Sequence, residues 1–123
     1  MSGPQTVFVT GGASGIGRAV ARRLADGGAA VVVADVDADG GAETVALVAD
    51  AGGQAMTRVV DVTDRGSIRK AADDAVAAYG QIDGLVNCAG LVTMASLDEL
   101  TEDEWDLVID VNLKGTWLVT QEV

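Results

Sequence analysis

Short apolar runs take turns with longer amphipathic stretches along the whole chain. Runs near 5–10, 30–35, 55–61 and 82–88 have the apolar, β-branched character of strands. Stretches near 15–27, 38–51, 64–79 and 101–122 carry apolar residues at helical spacing, as in Ile16, Ala19, Val20 and Leu24, or Ile68, Ala72, Ala75, Val76 and Tyr79. Gly27-Gly28, Gly52-Gly53 and Gly80 stand where helices end. Thr101 with Glu104 three residues on forms a capping box, and Thr63 with Asp64 offers a cap for the third helix. Alternating strands and helices predict an α/β domain with a parallel sheet, right-handed crossovers and helices on both faces. Uniformly apolar strands predict burial on both faces. With strand order 3-2-1-4, the chain reverses across the sheet between strands 1 and 4, and a ligand crevice opens at their C-terminal ends, where Gly11, Gly17 and Gly90 would line it.

The first strand runs into Thr10-Gly11-Gly12-Ala13-Ser14-Gly15-Ile16-Gly17, and a helix follows at once. Glycines at such a crossing let backbone amides approach a diphosphate and face it with a helix N-terminus. Taken alone, the glycines also fit an ordinary tight turn. Asp35, eighteen residues past Gly17 at the end of the second apolar strand, shifts the balance: a carboxylate there accepts from an adenosine ribose and repels a 2′-phosphate. Gly11, Ser14, Gly15, Ile16, Gly17 and Asp35 are therefore candidate NAD contacts.

The 123 residues carry 49% hydrophobic and 22% charged side chains, which predicts one folded domain and not a disordered chain. A net charge of −11 leaves no basic stripe for nucleic acid, and an anionic membrane surface would repel it. With no histidine, a Ser-His-Asp triad, a Cys-His dyad and histidine zinc sites drop out. No Gly-Lys-Ser/Thr ending follows the glycines, so a P-loop drops out too. A single cysteine, and Met1-Ser-Gly-Pro leading straight into the first strand without a secretory signal, predict a reducing, cytoplasmic setting. Cys88 reads as a small buried hydrophobe.

The pattern T-G-x-x-x-G-x-G resembles the short-chain dehydrogenase/reductase family, and the resemblance runs through all 123 residues. Asp61-Val62 follows the third strand where that family places an acid and an apolar residue against the adenine. Asn87-Cys88-Ala89-Gly90 is similar to its N-N-A-G segment, with Cys88 in place of the second Asn. The resemblance adds Asp61, Val62, Asn87, Ala89 and Gly90 to the cofactor contacts. It also matches Asn112, in Asp110-Val-Asn-Leu-Lys-Gly115, to the Asn of the family's catalytic tetrad. From periodicity, Asn112 lies on the inward face of the fourth helix, where its amide serves either the strand 4 backbone or a function; the resemblance favours function.

The family's catalytic Ser and Tyr-x-x-x-Lys have no match in residues 1–123. The one tyrosine, Tyr79, is followed by Asp83 four residues later and reads as packing. The expectation is a truncated Rossmann-type domain, the NAD-binding half of an oxidoreductase that moves a hydride between nicotinamide and a small alcohol or ketone, inactive by itself. The alternative is a non-catalytic dinucleotide-binding half-domain, or one that needs a second chain. NAD over NADP follows from Asp35 and from the absence of a base at Ser14 and Val36; Arg18 reads as structural. Trp105, Leu107, Trp117 and Leu118 predict a fourth helix buried all round, and the resemblance implies a homo-oligomer, dimer or tetramer, built through it.

Overall fold

The computed structural model describes residues 5–123; the Met1–Pro4 lead-in lies outside them. Four strands, β1 (Thr6–Thr10), β2 (Ala30–Asp35), β3 (Gln54–Val59) and β4 (Gly84–Asn87), form one parallel sheet in the order β3-β2-β1-β4. They alternate with α1 (Gly15–Asp26), α2 (Ala38–Asp50) and α3 (Arg65–Tyr79). A long C-terminal helical segment follows, made of α4 (Glu102–Ile109), a π-turn (Asp110–Lys114) and α5 (Gly115–Glu122).

Strand side chains alternate between faces, so β1 and β2 build two cores at once. Val7, Val9, Val31 and Val33 pack with Ala21 and Ala25 of α1 and Val48 of α2. On the opposite face Phe8 and Val32 meet Ile68, Ala71 and Ala75 of α3 and Leu118 and Val119 of α5. Apolar residues at successive positions are what a strand covered on both faces requires. This two-sided arrangement is the Rossmann-type α/β fold, and a cleft opens beyond the C-terminal ends of the paired strands β1 and β4, where α1 and the C-terminal helical segment lie on opposite faces.

The elements fall where the pattern places them, with four differences. First, β3 is a sheet edge, and Gln54, Arg58 and Val59 are exposed; burial on both faces holds for β1 and β2 only. Second, Asp64 alone caps α3, accepting from the Gly66 N–H at 3.0 Å, while Thr63 instead donates to Asp61 Oδ1 through its N–H and its hydroxyl. Third, the segment expected as one helix over 101–122 carries the π-turn. Hydroxyls compete for backbone acceptors there: Thr116 donates to the Asn112 carbonyl at 2.8 Å and Thr120 to the Thr116 carbonyl at 2.7 Å. Fourth, the segment is not buried all round. Trp105, Leu107, Leu113 and Trp117 are more than half exposed, because the segment meets the sheet-side core along one face, through Leu118 and Val119 with Val111 and Val123 partly buried beside them.

Tyr79 packs partly buried against the α3 core, as its register predicts, and burial pushes its phenol pKa up. Thr101 accepts from the Glu104 N–H at 3.1 Å, so the cap of α4 forms as expected. Among the described residues no helix is long and apolar enough to cross a membrane.

Candidate functional site

Thr10 ends β1 with its hydroxyl buried beneath the cleft. Oγ1 accepts from the N–H groups of Cys88 and Ala89, both at 3.1 Å, and thereby fixes the start of the β4 loop beside the glycine turn. The two segments touch so closely that a side chain at Gly11 would lie 2.7 Å from the Cys88 carbonyl group and the Ala89 nitrogen. Gly17 is tighter still: a Cβ there would sit 2.0 Å from the Gly11 carbonyl oxygen. Helix α1 can start directly under the turn only because position 17 has no side chain.

That packing turns the carbonyls of the turn away from the cleft. The Gly11 oxygen lies on α1, the Gly12 oxygen accepts from the buried Thr44 hydroxyl at 2.8 Å, and the Ala13 oxygen accepts from Arg18 at 2.6 Å. The N–H groups of Ser14, Gly15, Ile16 and Gly17 donate to no protein acceptor among the described residues, and the first helical bond is Arg18 N–H to the Ser14 carbonyl at 3.1 Å. These are the orphan donors of a helix N-terminus, and they carry its positive end. An anion with several oxygens fits them.

Beside the turn, Asp35 accepts from the Ala13 N–H at 3.1 Å through Oδ2 and from the Asp37 N–H at 3.0 Å through Oδ1. A carboxylate offers about four acceptor positions, so each oxygen keeps one for a hydroxyl pair. Asp61 is exposed at the end of β3, where Oδ1 accepts from Thr63 and its N–H donates to the Ser67 hydroxyl at 3.0 Å.

A cleft of about 550 Å³ joins these groups, lined by Gly11, Ser14, Gly15, Ile16 and Gly17 on one wall and Asp35, Asp61 and Val62 on another, with Ala89 and Gly90 closing it. Ten of the expected contact residues thus share one cavity at the sheet's switch point. Asn87 and Asn112 are not among its lining residues. Asn87 follows Leu85 in the strand alternation and therefore turns towards α5, its amide 3.5 Å from the Thr120 hydroxyl. Cys88, one residue on, lines the cleft and is partly accessible instead of fully buried. Leu91, Val36 and Val111 also line it. Period-two alternation from Val86 was the signal that separates Cys88 from Asn87.

Asn112 sits in the π-turn as an exposed residue and not on a buried inward face. Its amide pairs with one backbone residue in both directions. Oδ1 accepts from the Leu91 N–H and Nδ2 donates to the Leu91 carbonyl, each at 2.8 Å. Asn112 therefore ties the loop after β4 to the helical segment; Thr93 adds a second tie, donating to Glu104 at 3.0 Å.

Carboxyl groups with displaced pKa lie away from the cleft. Hydrogen bonds from Arg69 and Arg65 hold the Glu122 carboxyl below the usual carboxylate range, and those from Arg58 and Lys70 do the same for Asp74. Among the described residues no cluster of acidic and cysteine side chains could hold a metal ion.

Residues 5–123 match the family model for short chain dehydrogenases. The chain is 41% identical over 116 residues to the 3-oxoacyl-(acyl-carrier-protein) reductase FabG of Thermotoga maritima, covering 94% of this chain and 47% of that protein. To the D-threitol dehydrogenase of Mycolicibacterium smegmatis it is 39% identical over 119 residues, covering 97% and 46%. Among solved structures, an actinorhodin polyketide ketoreductase variant with NADPH superposes with a TM-score of 0.93 at 34% identity, covering 97% of this chain and 46% of that one. The chain spans about half the length of the curated relatives it matches.

Proposed function

Because the chain belongs to the short-chain dehydrogenase family, we propose that it forms the nucleotide-binding half of an oxidoreductase acting on a small alcohol/carbonyl pair, with NAD(H) as its dinucleotide. The observation that carries this reading is the set of four N–H groups, Ser14 to Gly17, without a protein acceptor among the described residues, in the same cleft as the Asp35 carboxylate.

The chain's own groups fit such a ligand. Ser14, Gly15, Ile16 and Gly17 would hold the diphosphate, Asp35 the adenosine ribose, and Val62 with the Asp61 backbone the adenine. Ala89 and Gly90 would border the nicotinamide end. A bound nicotinamide would supply hydride exchange with a carbinol carbon; the residues here would hold and orient it. Asn112 acts in this reading by fixing Leu91, and with it the wall of the cleft where substrate would enter. The proton-transferring Tyr and Lys of the family have no match within residues 1–123, so turnover is proposed of the intact protein and nucleotide binding of this chain.

NAD(H) is favoured over NADP(H) by charge. Asp35 stands at the ribose position, Asp37 follows it, and neither Ser14 nor Val36 offers a cation to a 2′-phosphate. Arg18 is turned away, donating to Thr44 at 2.9 Å and to the Ala13 carbonyl. The exposed Trp105 and Trp117 provide an apolar face for a second subunit, and we extend the proposal to a homo-oligomer.

Titrating NADH and NADPH into the intact protein tests the reading. Saturable NADH binding tighter than NADPH supports it; preference for NADPH refutes the specificity argument, and binding of neither refutes the proposal. Oxidation of NADH with a panel of ketones then tests turnover, where binding without any turnover would favour the non-catalytic alternative.

A further inference from the structure

We infer that Arg18 is a positioning residue for the diphosphate: by gripping the Ala13 carbonyl it holds the Ala13–Ser14 peptide with the Ser14 N–H aimed into the cleft. This rests on the proposed dinucleotide site and assigns to Arg18 a part in it that its distance from the ligand hides.

A trans peptide is planar, and its C=O and N–H point in opposite directions. The Ala13 oxygen faces α2 and accepts at 2.6 Å from the Arg18 guanidinium, which reaches from α1 to Gly40 and Thr44 of α2. The N–H of the same peptide belongs to Ser14 and must point the other way, to the side on which Ser14 lines the cleft. Arg18 can hold that orientation because it is itself held. Its Nε donates to the Thr44 hydroxyl at 2.9 Å, its second terminal nitrogen also reaches the Gly40 carbonyl at 3.3 Å, and Glu43 faces it at 3.4 Å. Thr44 is fully buried and passes its own proton to the Gly12 carbonyl at 2.8 Å, which orients the preceding part of the turn in the same sense.

From the opposite side, the Ala13 N–H is fastened to Asp35 at 3.1 Å. The residue at the centre of the turn is thus fixed at both its polar groups, by a cation on its carbonyl and by the ribose-position acid on its amide. A planar guanidinium is needed for the first, since one group must serve two carbonyls and a hydroxyl in fixed directions. Lysine offers a single ammonium in that place.

Arg18→Met in the intact protein tests this, with Arg18→Lys as the conservative variant. Losing one charge-assisted bond corresponds to a roughly tenfold effect or more. The expected result is a dissociation constant for NADH raised about tenfold. Affinity for adenosine, which lacks the diphosphate, stays unchanged, and Arg18→Lys recovers part of the loss. A general collapse of the site would weaken adenosine as well, and that outcome overturns the inference, as does NADH binding equal to the wild type. Hydrogen exchange is the second readout and needs no nucleotide. With its carbonyl released, Ala13 is held through its N–H to Asp35 alone, so the Ala13 amide, on the adjoining peptide, should exchange about tenfold faster in Arg18→Met while the amides of Val31 to Val33 keep their protection. Unchanged exchange at Ala13 overturns the positioning role even if the wild type binds neither dinucleotide; a wild type that binds neither, with exchange at Ala13 accelerated, overturns the proposed function and leaves the Arg18 grip standing.

Discussion

Replacing Gly17 by alanine adds one methyl group at the most tightly enclosed of the described glycines. The new Cβ would lie 2.0 Å from the Gly11 carbonyl oxygen, 2.6 Å from its carbon and 3.0 Å from the Gly12 nitrogen, all backbone atoms with no rotamer to give way. To reach even 3.0 Å, turn and helix must separate by about 1 Å. Overpacking of this kind destabilises by about 1–3 kcal/mol, and each kcal/mol lowers the melting temperature by roughly 2–8 °C in a domain of this size. The same shift spoils the amide fan, and losing two charge-assisted bonds at about 1.5 kcal/mol each weakens NADH binding roughly a hundredfold. Gly15→Ala is the comparison. Its backbone is left-handed, φ +54°, but a Cβ there meets no atom within 4 Å, so only about 1–2 kcal/mol of backbone strain is expected. Thermal melts and NADH titrations of both variants give the answer. A Gly17→Ala protein that melts and binds like the wild type would refute the packing argument.

Thr10→Val removes the acceptor of the Ala89 amide, while the Cys88 amide keeps its bond to the Thr10 carbonyl at 3.1 Å, and should destabilise by about 1–3 kcal/mol, measured by denaturant unfolding. Asn112→Ala unties Leu91 at both its polar groups; exchange at the Leu91 amide should rise while the β1 amides stay protected. Asp35→Ala should narrow the gap between NADH and NADPH affinities, read by titration of each. Because the folded-state pKa of Glu122 is depressed by Arg69 and Arg65, its contribution is present above the unfolded carboxyl pKa of about 4.3 and is lost as pH falls through the lower folded value. Lowering the pH through that range should therefore weaken the tie between α5 and α3, and Glu122→Gln should flatten that part of the pH profile.

Much of this was legible in the chain because period and punctuation coincide. The valines of β2 sit at consecutive positions, as a strand covered on both faces requires, and Gly11 and Gly17 stand where backbone touches backbone. The Thr116 hydroxyl that competes for the Asn112 carbonyl is a local feature, but the ties across the fold that flank the π-turn are not: Asn112 reaches Leu91, and Gly115 lies where a Cβ would meet Val62 at 2.7 Å. The cleft side of Cys88 rather than Asn87 depends on strand phase, which the four-residue β4 barely displays. Arg18 read as structural from sequence; only its partners Ala13, Gly40 and Thr44 reveal that it orients the turn.

Amide chemical shifts of the intact protein, recorded with and without saturating NADH, test the central claim most directly. The account predicts the largest changes at Ser14, Gly15, Ile16 and Gly17, with smaller ones at Asp35 and Gly90. Saturation that leaves those four amides unmoved, or no saturable change at all, would contradict it.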